Sequence, residues 1–306
     1  MRVACIIPTY NAGYGFARLL SSLKIQTLYP DIYIVDSSSS DGTLDLARTY
    51  FDNVAVISSS EFNHGGTRQM MVDKNPNYDV YVFLTQDAYL ADQEAIYNLV
   101  SPFYNPTVGA VCGRQLPHED ASLLSQHARY FNYPEGVFIK EMADSRYLGI
   151  KTAFISNSFA AYRGIALGKV GGFPSNVIFA EDMYVAAKLL VDGWRLVYSG
   201  NARCYHSHNY TIREEFSRYF DMGVFHAREP WIRNTFGGAG GEGFRFVKSE
   251  LRFLSIGNIS LWPISIMRNF FKLIGFKLGL NEAKLNTKLK RFLGMHKRYW
   301  DAPENL

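Results

Sequence analysis

The chain has 306 residues, 47% of them hydrophobic, so it can bury a large core and is not a small scaffold stapled by disulfides. Its three cysteines, Cys5, Cys112 and Cys204, are far apart and include no CxxC pair, which argues against a zinc site and for a reducing compartment. The net charge of +4 is unevenly distributed, because twelve Lys or Arg and only two Glu lie between residues 245 and 300. This asymmetry suggests an anionic partner surface, either a membrane or a nucleic acid.

Short apolar runs alternate with helical spacing through the first third of the chain. The predicted strands there are Arg2–Asn11, Ile32–Asp36, Val54–Ile57, Val80–Ala88 and Val108–Cys112. Two helices are predicted at Arg18–Leu23 and Thr43–Tyr50. A third is predicted to end at Asp73, and a fourth to begin at about Asp92. This alternation is typical of a doubly wound sheet, so the predicted fold class is α/β with a Rossmann-like, mostly parallel central sheet and flanking helices. The apolar start is too short for a signal peptide, so we expect a cytoplasmic protein.

The later part of the chain is less regular. Residues 115–151 show no clear period, and we assign them to the acceptor side as a functional loop region. A strand at Asn157–Arg163, a helix at Met183–Asp192 and a short strand at Trp194–Tyr198 follow.

The sequence excludes two common phosphate-binding motifs. A dinucleotide fold would place G-x-G-x-x-G after the first strand, where this chain has Pro8-Thr9-Tyr10-Asn11. The pattern G-x-x-x-x-G-K-[ST] of P-loop enzymes is also missing from the sequence. Phosphoryl transfer on a P-loop is therefore excluded.

Asp87 is the first candidate functional residue. It closes the apolar run that starts at Val80, and open α/β sheets bind ligands just beyond the carboxyl ends of their strands. An alternative role is to cap the next helix, but Asp92, directly before Gln93, is better placed for that. We therefore expect Asp87 to meet a ligand or a metal.

Two further groups carry chemistry-bearing side chains. Glu181 and Asp182 open a helix, where acidic residues are also favoured by the helix dipole, so a structural role remains open for them. His206 and His208 would point to the same face of an extended segment, as two metal or phosphate ligands do. Two histidines make an incomplete metal site, and Asp87 is the obvious third ligand.

Taken together, these motifs resemble the inverting family 2 glycosyltransferases with the GT-A fold, and within them the bacterial L-rhamnosyltransferases of surface polysaccharide assembly. The motifs that carry the resemblance are Ile6–Asn11, Val35–Thr43, Phe62–Arg68, Gln86–Ala88, Glu181–Asp182 and His206–Tyr210. The resemblance covers about residues 1–230, and Met295–Trp300 also looks similar to that subgroup. It divides the chain into a catalytic domain, 1–244, and a basic amphipathic helical region, 245–306.

The resemblance implies a nucleotide-sugar donor site. The donor-binding residues would be Pro8, Thr9, Asn11, Asp36, His64, Arg68, Gln86 and Asp87, with Asp36 accepting a hydrogen bond from the base or ribose. Gln86 replaces the first acid of the family's Asp-x-Asp motif, which leaves Asp87 as the single carboxylate there. The cofactor would then be Mg²⁺ or Mn²⁺, bound by Asp87 with help from His206 and His208.

The resemblance also implies the reaction. Asp182 would be the catalytic base that deprotonates the acceptor hydroxyl, so that a single displacement inverts the anomeric carbon. From β-linked dTDP-L-rhamnose the product would be an α-L-rhamnoside, formed on a saccharide or lipid-linked saccharide acceptor of O-antigen, capsule or cell-wall polysaccharide. Two alternatives stay open, namely a UDP-sugar donor on the same fold and an inactive scaffold that only binds nucleotide-sugar.

The C-terminal region predicts attachment to a membrane surface. Met267, Phe271, Ile274 and Leu278 fall on one helical stripe, with Arg268 and other basic residues off it. An alternative is a helical lid with a solvated basic face. Because nothing in the sequence resembles a base-reading module, we expect no nucleic-acid partner but a peripheral association with the inner face of the cell membrane.

Overall fold

The fold is built on a nine-stranded sheet, seen in a computed structural model that describes residues 1–238 and 240–302. The strands are β1 (Val3–Thr9), β2 (Asp31–Asp36), β3 (Val54–Val56), β4 (Val80–Leu84), β5 (Tyr89–Leu90), β6 (Val108–Leu116), β7 (Val137–Lys140), β8 (Phe159–Arg163) and β9 (Arg195–Tyr205). The helices are α1 (Phe16–Lys24), α2 (Thr43–Tyr50), α3 (His64–Lys74), α4 (Ala95–Val100), α5 (Leu123–Asn132), α6 (Ser145–Leu148), α7 (Gly164–Lys169), α8 (Glu181–Val191), α9 (Ile212–Arg228), α10 (Pro230–Phe236), α11 (Glu242–Leu254), α12 (Trp262–Leu280) and α13 (Thr287–Leu293).

The strand order is β3-β2-β1-β4-β8-β6-β9-β5, with β7 paired to β9. The four strands β3, β2, β1 and β4 are parallel, as the alternating sequence pattern predicts. β8 runs antiparallel between β4 and β6, and β6 and β9 are again parallel. The predicted α/β architecture with a central sheet, flanking helices and a helical C-terminal region is confirmed.

This topology brings most of the candidate residues to one edge of the sheet. The carboxyl ends of β1, β2, β4, β6 and β9 lie on the same side, and the antiparallel β8 begins there, since Phe159 pairs with Leu84. We call this side the carboxyl edge. Ligands of open α/β sheets bind outside such an edge, so the fold itself places the functional site.

The core lies on both faces of the sheet. Ala4 and Ile6 of β1 face one apolar cluster, while Cys5 and Ile7 face the other, and all four are fully buried. Because β1 and β4 are covered on both faces, every residue in them is buried, and their sequences are continuous apolar runs.

Three predicted elements differ from the structure. The strand predicted to run to Ala88 ends at Leu84, and Asp87 lies in the turn that follows it. The region 115–151 is not a loop region throughout, because it holds α5 and β7. The short strand predicted to end at Tyr198 continues to Tyr205, because its parallel pairing with β6 carries through an irregularity near Gly113.

The C-terminal helices pack on the catalytic part of the chain. Arg268 and Lys272 of α12 turn towards α9, where both pair with Glu215 at 2.8 and 3.3 Å. They are 12% exposed, so they belong to the α9–α12 interface and not to a solvated face. The predicted division at residue 244 stays a prediction, and residues 303–306 of that region lie outside the described part of the chain.

The exposed apolar stripe of α12 is also rotated from the predicted one. Its exposed members are Ile266, Met267, Phe270 and Leu273, at 42–56% exposure. Of the predicted stripe only Met267 is among them. α9 packs against the side of α12 that carries Gly275 and Gly279, and Phe271, Ile274 and Leu278 are only partly exposed. Within residues 1–238 and 240–302, no helix combines the length and apolar character needed to cross a membrane.

Candidate active site

The ends of β1 and β2 are joined by side-chain hydrogen bonds at the carboxyl edge. Pro8 is buried opposite Val35, and Thr9 Oγ1 donates to Asp36 Oδ2 at 3.0 Å. The fully buried Asp36 also accepts from the N–H (2.8 Å) and Oγ (2.6 Å) of Ser39. Asp36 therefore fixes the relative position of the two loops. Its predicted contact with a nucleotide base or ribose stays a prediction.

Asn11 extends this connection outward. It has a left-handed backbone (φ 45°), its N–H donates to Ser39 Oγ at 2.8 Å, and its Oδ1 accepts from the N–H of Ser40 at 2.9 Å. Asp41 accepts from the N–H of Gly13 at 3.0 Å and from the first residue of α2. Asp41 is thus a turn and cap residue, and the loops after β1 and β2 form one continuous wall.

Gln86, which stands where the Asp-x-Asp motif has its first acid, makes two hydrogen bonds to the loop after β1. Its Oε1 accepts from the N–H of Tyr10 at 2.6 Å, and its Nε2 donates to the carbonyl of the same residue at 3.1 Å. Only an amide can both donate and accept in this way. Gln86 therefore ties the loop after β4 to the loop after β1, and its predicted contact with the donor stays a prediction.

Asp87, His206 and His208 form one cluster, which we call the metal-type cluster. Nε2 of His206 lies 3.3 Å from Asp87 Oδ2, and Nε2 of His208 lies 3.5 Å from the same oxygen. One ligand atom from each of the three side chains falls within 4.8 Å of the others, a spacing that suits a shared metal ion. β9 ends at Tyr205, so the extended segment after it delivers the two rings from the same face.

Hydrogen bonds behind the cluster fix the His206 ring. Arg129 Nη1 donates to Gln115 Oε1, and since arginine cannot accept, this atom must be the amide oxygen. The same oxygen lies 2.9 Å from His206 Nδ1, which must then carry the proton. The Nε2 of a neutral His206 consequently presents a lone pair towards Asp87, the orientation that a metal ligand needs.

The charges of the cluster suit a cation. Although burial alone would raise it, the His206 and His208 rings hold the pKa of the Asp87 carboxyl well below its usual range. Burial lowers the pKa of His206, and burial together with the neighbouring His206 lowers the pKa of His208 to about 4. At neutral pH the site therefore holds one carboxylate and two neutral imidazoles, a donor set that fits a divalent metal.

His64 and Arg68 lie in the first two turns of α3, beside the acidic residues Glu181 and Asp182. Arg68 Nη1 donates to the His64 carbonyl (2.7 Å) and forms an ion pair with Glu181 Oε1 (3.0 Å). The side chains of Arg68 and Glu181 are only 5% and 6% exposed. Burial and the adjacent His296 lower the pKa of His64 to about 3, so this ring is neutral. The Arg68 charge is thus already balanced by Glu181, although its Nε has no partner among the described residues.

Asp182 lies next to this ion pair, and its pKa is raised whereas the pKa of Glu181 is lowered. Its Oδ2 accepts from the N–H of Asn157 (3.1 Å) and its Oδ1 from the N–H of Met183 (2.7 Å). Burial and then the Glu181 charge raise the pKa of Asp182 to about 7. The preceding residue, Ala180, has a left-handed backbone (φ 63°), a strained conformation of the kind concentrated at functional sites. A carboxyl with this pKa can exchange a proton near neutral pH.

Arg218 lies between the two groups. Its guanidinium carbon is 5.3 Å from the Phe179 ring and 5.9 Å from the Tyr210 ring. Tyr210 in turn stacks on His208 at 4.8 Å. Within residues 1–238 and 240–302 Arg218 forms no ion pair, so it offers an uncompensated positive charge between the metal-type cluster and the Asp182 loop.

Sequence reasoning missed three residues of the site. Gln115 stands near the carboxyl end of β6, where the rule that selected Asp87 would have found it had β6 been delimited correctly, whereas Asn157 precedes the antiparallel β8 and only the tertiary structure brings it to this edge. Asn157 Nδ2 donates to Glu181 Oε1 at 3.0 Å, which connects the two parts of the site. Arg218 is in the middle of a helix, where nothing in the sequence distinguishes it from a surface arginine.

Solved structures with a similar fold include complexes with nucleotide-sugars. The structure matches the mannosyltransferase PcManGT from Pyrobaculum calidifontis, solved with GDP-Man and Mn²⁺, at a TM-score of 0.56 and 19% identity, over 98% of this chain and 85% of that one. It also matches S. aureus TarS 1-349 in complex with UDP-GlcNAc at a TM-score of 0.56 and 16% identity, over 93% and 92%. At these identities the likeness shows the fold, which is that of the GT-A glycosyltransferases.

Two relatives are much more similar in sequence. The O-antigen chain rhamnosyltransferase RfbN of Salmonella typhimurium (strain LT2) is 51% identical over 305 residues, which cover 98% of this chain and 96% of RfbN. The O-antigen chain rhamnosyltransferase WbaN of Salmonella anatum is 49% identical over 299 residues, covering 97% and 95%. The family described as glycosyl transferase family 2 matches residues 4–171. The chain therefore belongs to glycosyl transferase family 2.

Proposed function

We propose that this protein is an inverting rhamnosyltransferase that moves L-rhamnose from dTDP-L-rhamnose to a saccharide acceptor in O-antigen assembly. The observation that carries the proposal is the pairing, on one edge of the sheet, of a metal-type cluster with a carboxyl whose pKa is raised to about 7. The rhamnosyl donor is supported by the similarity to RfbN and WbaN, which extends over nearly the whole chain.

Asp87, His206 and His208 would hold the divalent metal. The imidazole nitrogens favour Mn²⁺ over Mg²⁺, because Mg²⁺ takes oxygen ligands almost exclusively. When bound, the metal supplies positive charge against the donor diphosphate. The chain itself contributes the orientation of His206, through Gln115, and a second positive charge, from Arg218, for the departing nucleoside diphosphate.

Asp182 would act as the base. The acceptor hydroxyl attacks the anomeric carbon from the face opposite the diphosphate, its proton passes to the Asp182 carboxylate, and the bond to the nucleoside diphosphate breaks with its electrons leaving on oxygen. Glu181 keeps Asp182 basic by its negative charge, while Arg68 keeps Glu181 itself ionised. One displacement gives one inversion, and hence an α-L-rhamnoside from the β-linked donor.

The proposal is tested with membranes of S. typhimurium that lack RfbN, because these retain the acceptor that RfbN would have extended. The purified protein is incubated with a detergent extract of the membranes, labelled dTDP-L-rhamnose and Mn²⁺. We expect label in the lipid fraction with the wild type but not with Asp182→Asn. No incorporation from dTDP-L-rhamnose would contradict the rhamnosyl proposal, and incorporation from a UDP-sugar instead would support the alternative donor. Donor binding without any transfer would support an inactive scaffold.

We further propose that the exposed stripe of α12 rests on the anionic inner face of the cell membrane. The stripe of Ile266, Met267, Phe270 and Leu273 is an apolar surface without cover in the described residues, and the exposed Lys277 lies on the same helix. Apolar side chains flanked by basic ones favour a surface of anionic lipids. Such attachment would bring the site to a lipid-linked acceptor.

Co-sedimentation with vesicles of phosphatidylcholine and phosphatidylglycerol tests this surface. The variant Phe270→Ser/Leu273→Ser should lose most vesicle binding, because both side chains are more than half exposed and their removal leaves the fold intact. The matched control is Ile25→Ser/Ile165→Ser, which removes two exposed apolar side chains elsewhere (62% and 75%). Equal binding of the two variants and the wild type would contradict the membrane role.

A further inference from the structure

A cavity of about 550 Å³ lies beside the candidate active site. Three separate segments line it, namely residues 60–64 before and at the start of α3, residues 175–178 before α8, and residues 295–299 with Ala302 from the C-terminal region. Its volume falls within the range of small-molecule binding sites. Neither Asp87 nor the two histidines of the metal-type cluster line it, although His64, one of the predicted donor-binding residues, does.

The C-terminal wall of the cavity is held by one buried carboxylate. Asp221 of α9 is fully buried, and its Oδ2 accepts from the N–H of Met295 (2.9 Å), the N–H of His296 (2.9 Å) and the Nδ1–H of His296 (2.7 Å). A methyl group on Gly294 would come 2.6 Å from Asp221 Oδ1, so only glycine lets the chain approach this closely. The segment is therefore anchored in a defined position.

Both other walls are also bonded to this segment. Arg298 donates to the carbonyl of Ser59, and Tyr299 OH donates to the carbonyl of Asn176 at 3.3 Å. Beyond them Trp300 is 1% exposed, with the ammonium of Lys290 4.8 Å from its ring. The C-terminal segment thus forms a fixed wall of the cavity and packs on the catalytic part of the chain.

The lining has the chemistry of a saccharide site with a basic side. Phe62 and Tyr299 supply aromatic surface, and the exposed Lys297 and Arg298 supply positive charge. Glu61 is the one acid among the described lining residues, and it already accepts from the N–H of Ser58 at 2.9 Å. An uncharged sugar alone would not need two cations, whereas a saccharide that carries phosphate would pair with both.

The cavity also touches the base side of the active site. The His296 ring packs edge-on against His64 (5.0 Å between centroids) and stacks on Phe179 (5.8 Å), two residues before Glu181. Since its Nδ1–H is donated to Asp221, Nε2 is the atom of His296 left for a ligand hydroxyl. In an inverting displacement the acceptor approaches on the side of the base and away from the diphosphate, and Phe179, on which His296 stacks, lies three residues before Asp182.

We propose that this cavity binds the acceptor, a saccharide bearing phosphate, and that residues 294–302 form its specificity wall. The inference rests on the proposed glycosyltransferase function. Lys297 and Arg298 pair with the acceptor's phosphate, His296 Nε2 bonds a sugar hydroxyl, and Asp221 positions that ring. The C-terminal segment is accordingly part of the enzyme's substrate-binding machinery in addition to any role at the membrane.

The test compares the full-length double variant Lys297→Ala/Arg298→Ala with the wild type, using the detergent extract of RfbN-deficient membranes as acceptor and dTDP-L-rhamnose as donor. Detergent removes any contribution from vesicle binding. We expect the half-saturating amount of extract to rise by about tenfold or more for the loss of two charge-assisted bonds, while the KM for donor and the calorimetric Kd for donor stay within about twofold. The matched control, Arg48→Ala/Lys74→Ala, removes the same two charges from exposed positions of α2 and α3 and should behave as wild type.

The outcomes separate this inference from the proposed function. If the wild type transfers rhamnose but the double variant has an unchanged half-saturating amount of extract, the cavity is not the acceptor site. If the variant instead raises the KM for donor, the cavity serves the donor and the inference is wrong. Failure of the wild type itself to transfer would refute the proposed function first. Restored saturation with Lys297→Arg/Arg298→Lys would show that the two charges, and not the fold of the segment, are responsible.

Discussion

The pH dependence of transfer should report the protonation of Asp182. Burial and the Glu181 carboxylate raise the pKa of Asp182 to about 7, while the N–H groups of Asn157 and Met183 favour its charged form. Only the ionised carboxylate can accept the proton of the acceptor hydroxyl, so kcat must increase as pH rises through this range. With a pKa near 7, about half of the carboxyl is ionised at pH 7 and about a tenth at pH 6, so kcat should fall about fivefold between them.

The assay measures kcat at saturating donor and acceptor from pH 5.5 to 8.5 for the wild type and Asp182→Asn. The variant should lose about 10²–10⁴ in kcat, the usual contribution of a general base, and its residual activity should lack the acidic limb. Its affinity for donor should stay close to the wild type, while its melting temperature should fall slightly, because asparagine keeps only one of the two oxygens that accept from the N–H groups of Asn157 and Met183. A wild-type profile that is flat between pH 6 and 8, or a variant with near-normal kcat, would refute the role of Asp182.

Three further predictions concern the groups around the base. Glu181→Gln leaves Arg68 buried without a counter-charge, so the free energy of unfolding in urea should fall by about 3–5 kcal/mol, and the double variant with Arg68→Met should recover much of it; an unchanged midpoint would contradict the buried pair. Gln115→Leu frees the His206 ring and should weaken Mn²⁺ binding, measured by calorimetry without substrate, by about 10–100-fold; equal affinity would contradict the role of Gln115 in orienting His206. Arg218→Gln should lower kcat by about 10²-fold at an unchanged melting temperature, and full activity would remove Arg218 from leaving-group stabilisation.

Much of the fold could be predicted because its sheet is buried on both faces. The short apolar runs at β1 and β4 are typical of strands covered on both faces, and both strands belong to the parallel half of the sheet. β9 was harder to delimit, since its continuation to Tyr205 depends on pairing with β6, a strand about ninety residues earlier in the chain. Helix α5 was missed because two of its buried positions carry the polar residues Ser125 and His127 in place of apolar ones.

The candidate site could be predicted where a strand end marks it, and at Asp182 through the resemblance to a known family. Asp87 and the two histidines follow β4 and β9, and the structure brings their ligand atoms within 4.8 Å. The sequence could not show that Arg68 is already paired with Glu181, because that contact joins residues more than a hundred positions apart. The contribution of His296 was equally hidden, since it depends on the tertiary contact with Asp221.

The membrane surface shows a related limit. A helical stripe can be read from the sequence, but which stripe remains exposed depends on the neighbour that covers the other one. Arg268 and Lys272 look like solvated basic residues until Glu215 of α9 is placed beside them. The exposed stripe is therefore displaced by one or more positions, although the amphipathic character of the helix was evident.

The anomeric configuration of the product tests the central proposal most directly. The protein is incubated with β-linked dTDP-L-rhamnose and the extract of RfbN-deficient membranes, and the new glycosidic bond is examined by NMR through its one-bond carbon–hydrogen coupling. A single displacement assisted by Asp182 predicts an α-L-rhamnoside. A β-L-rhamnoside would mean retention, and with it a different arrangement of nucleophile and base from the one proposed for this site.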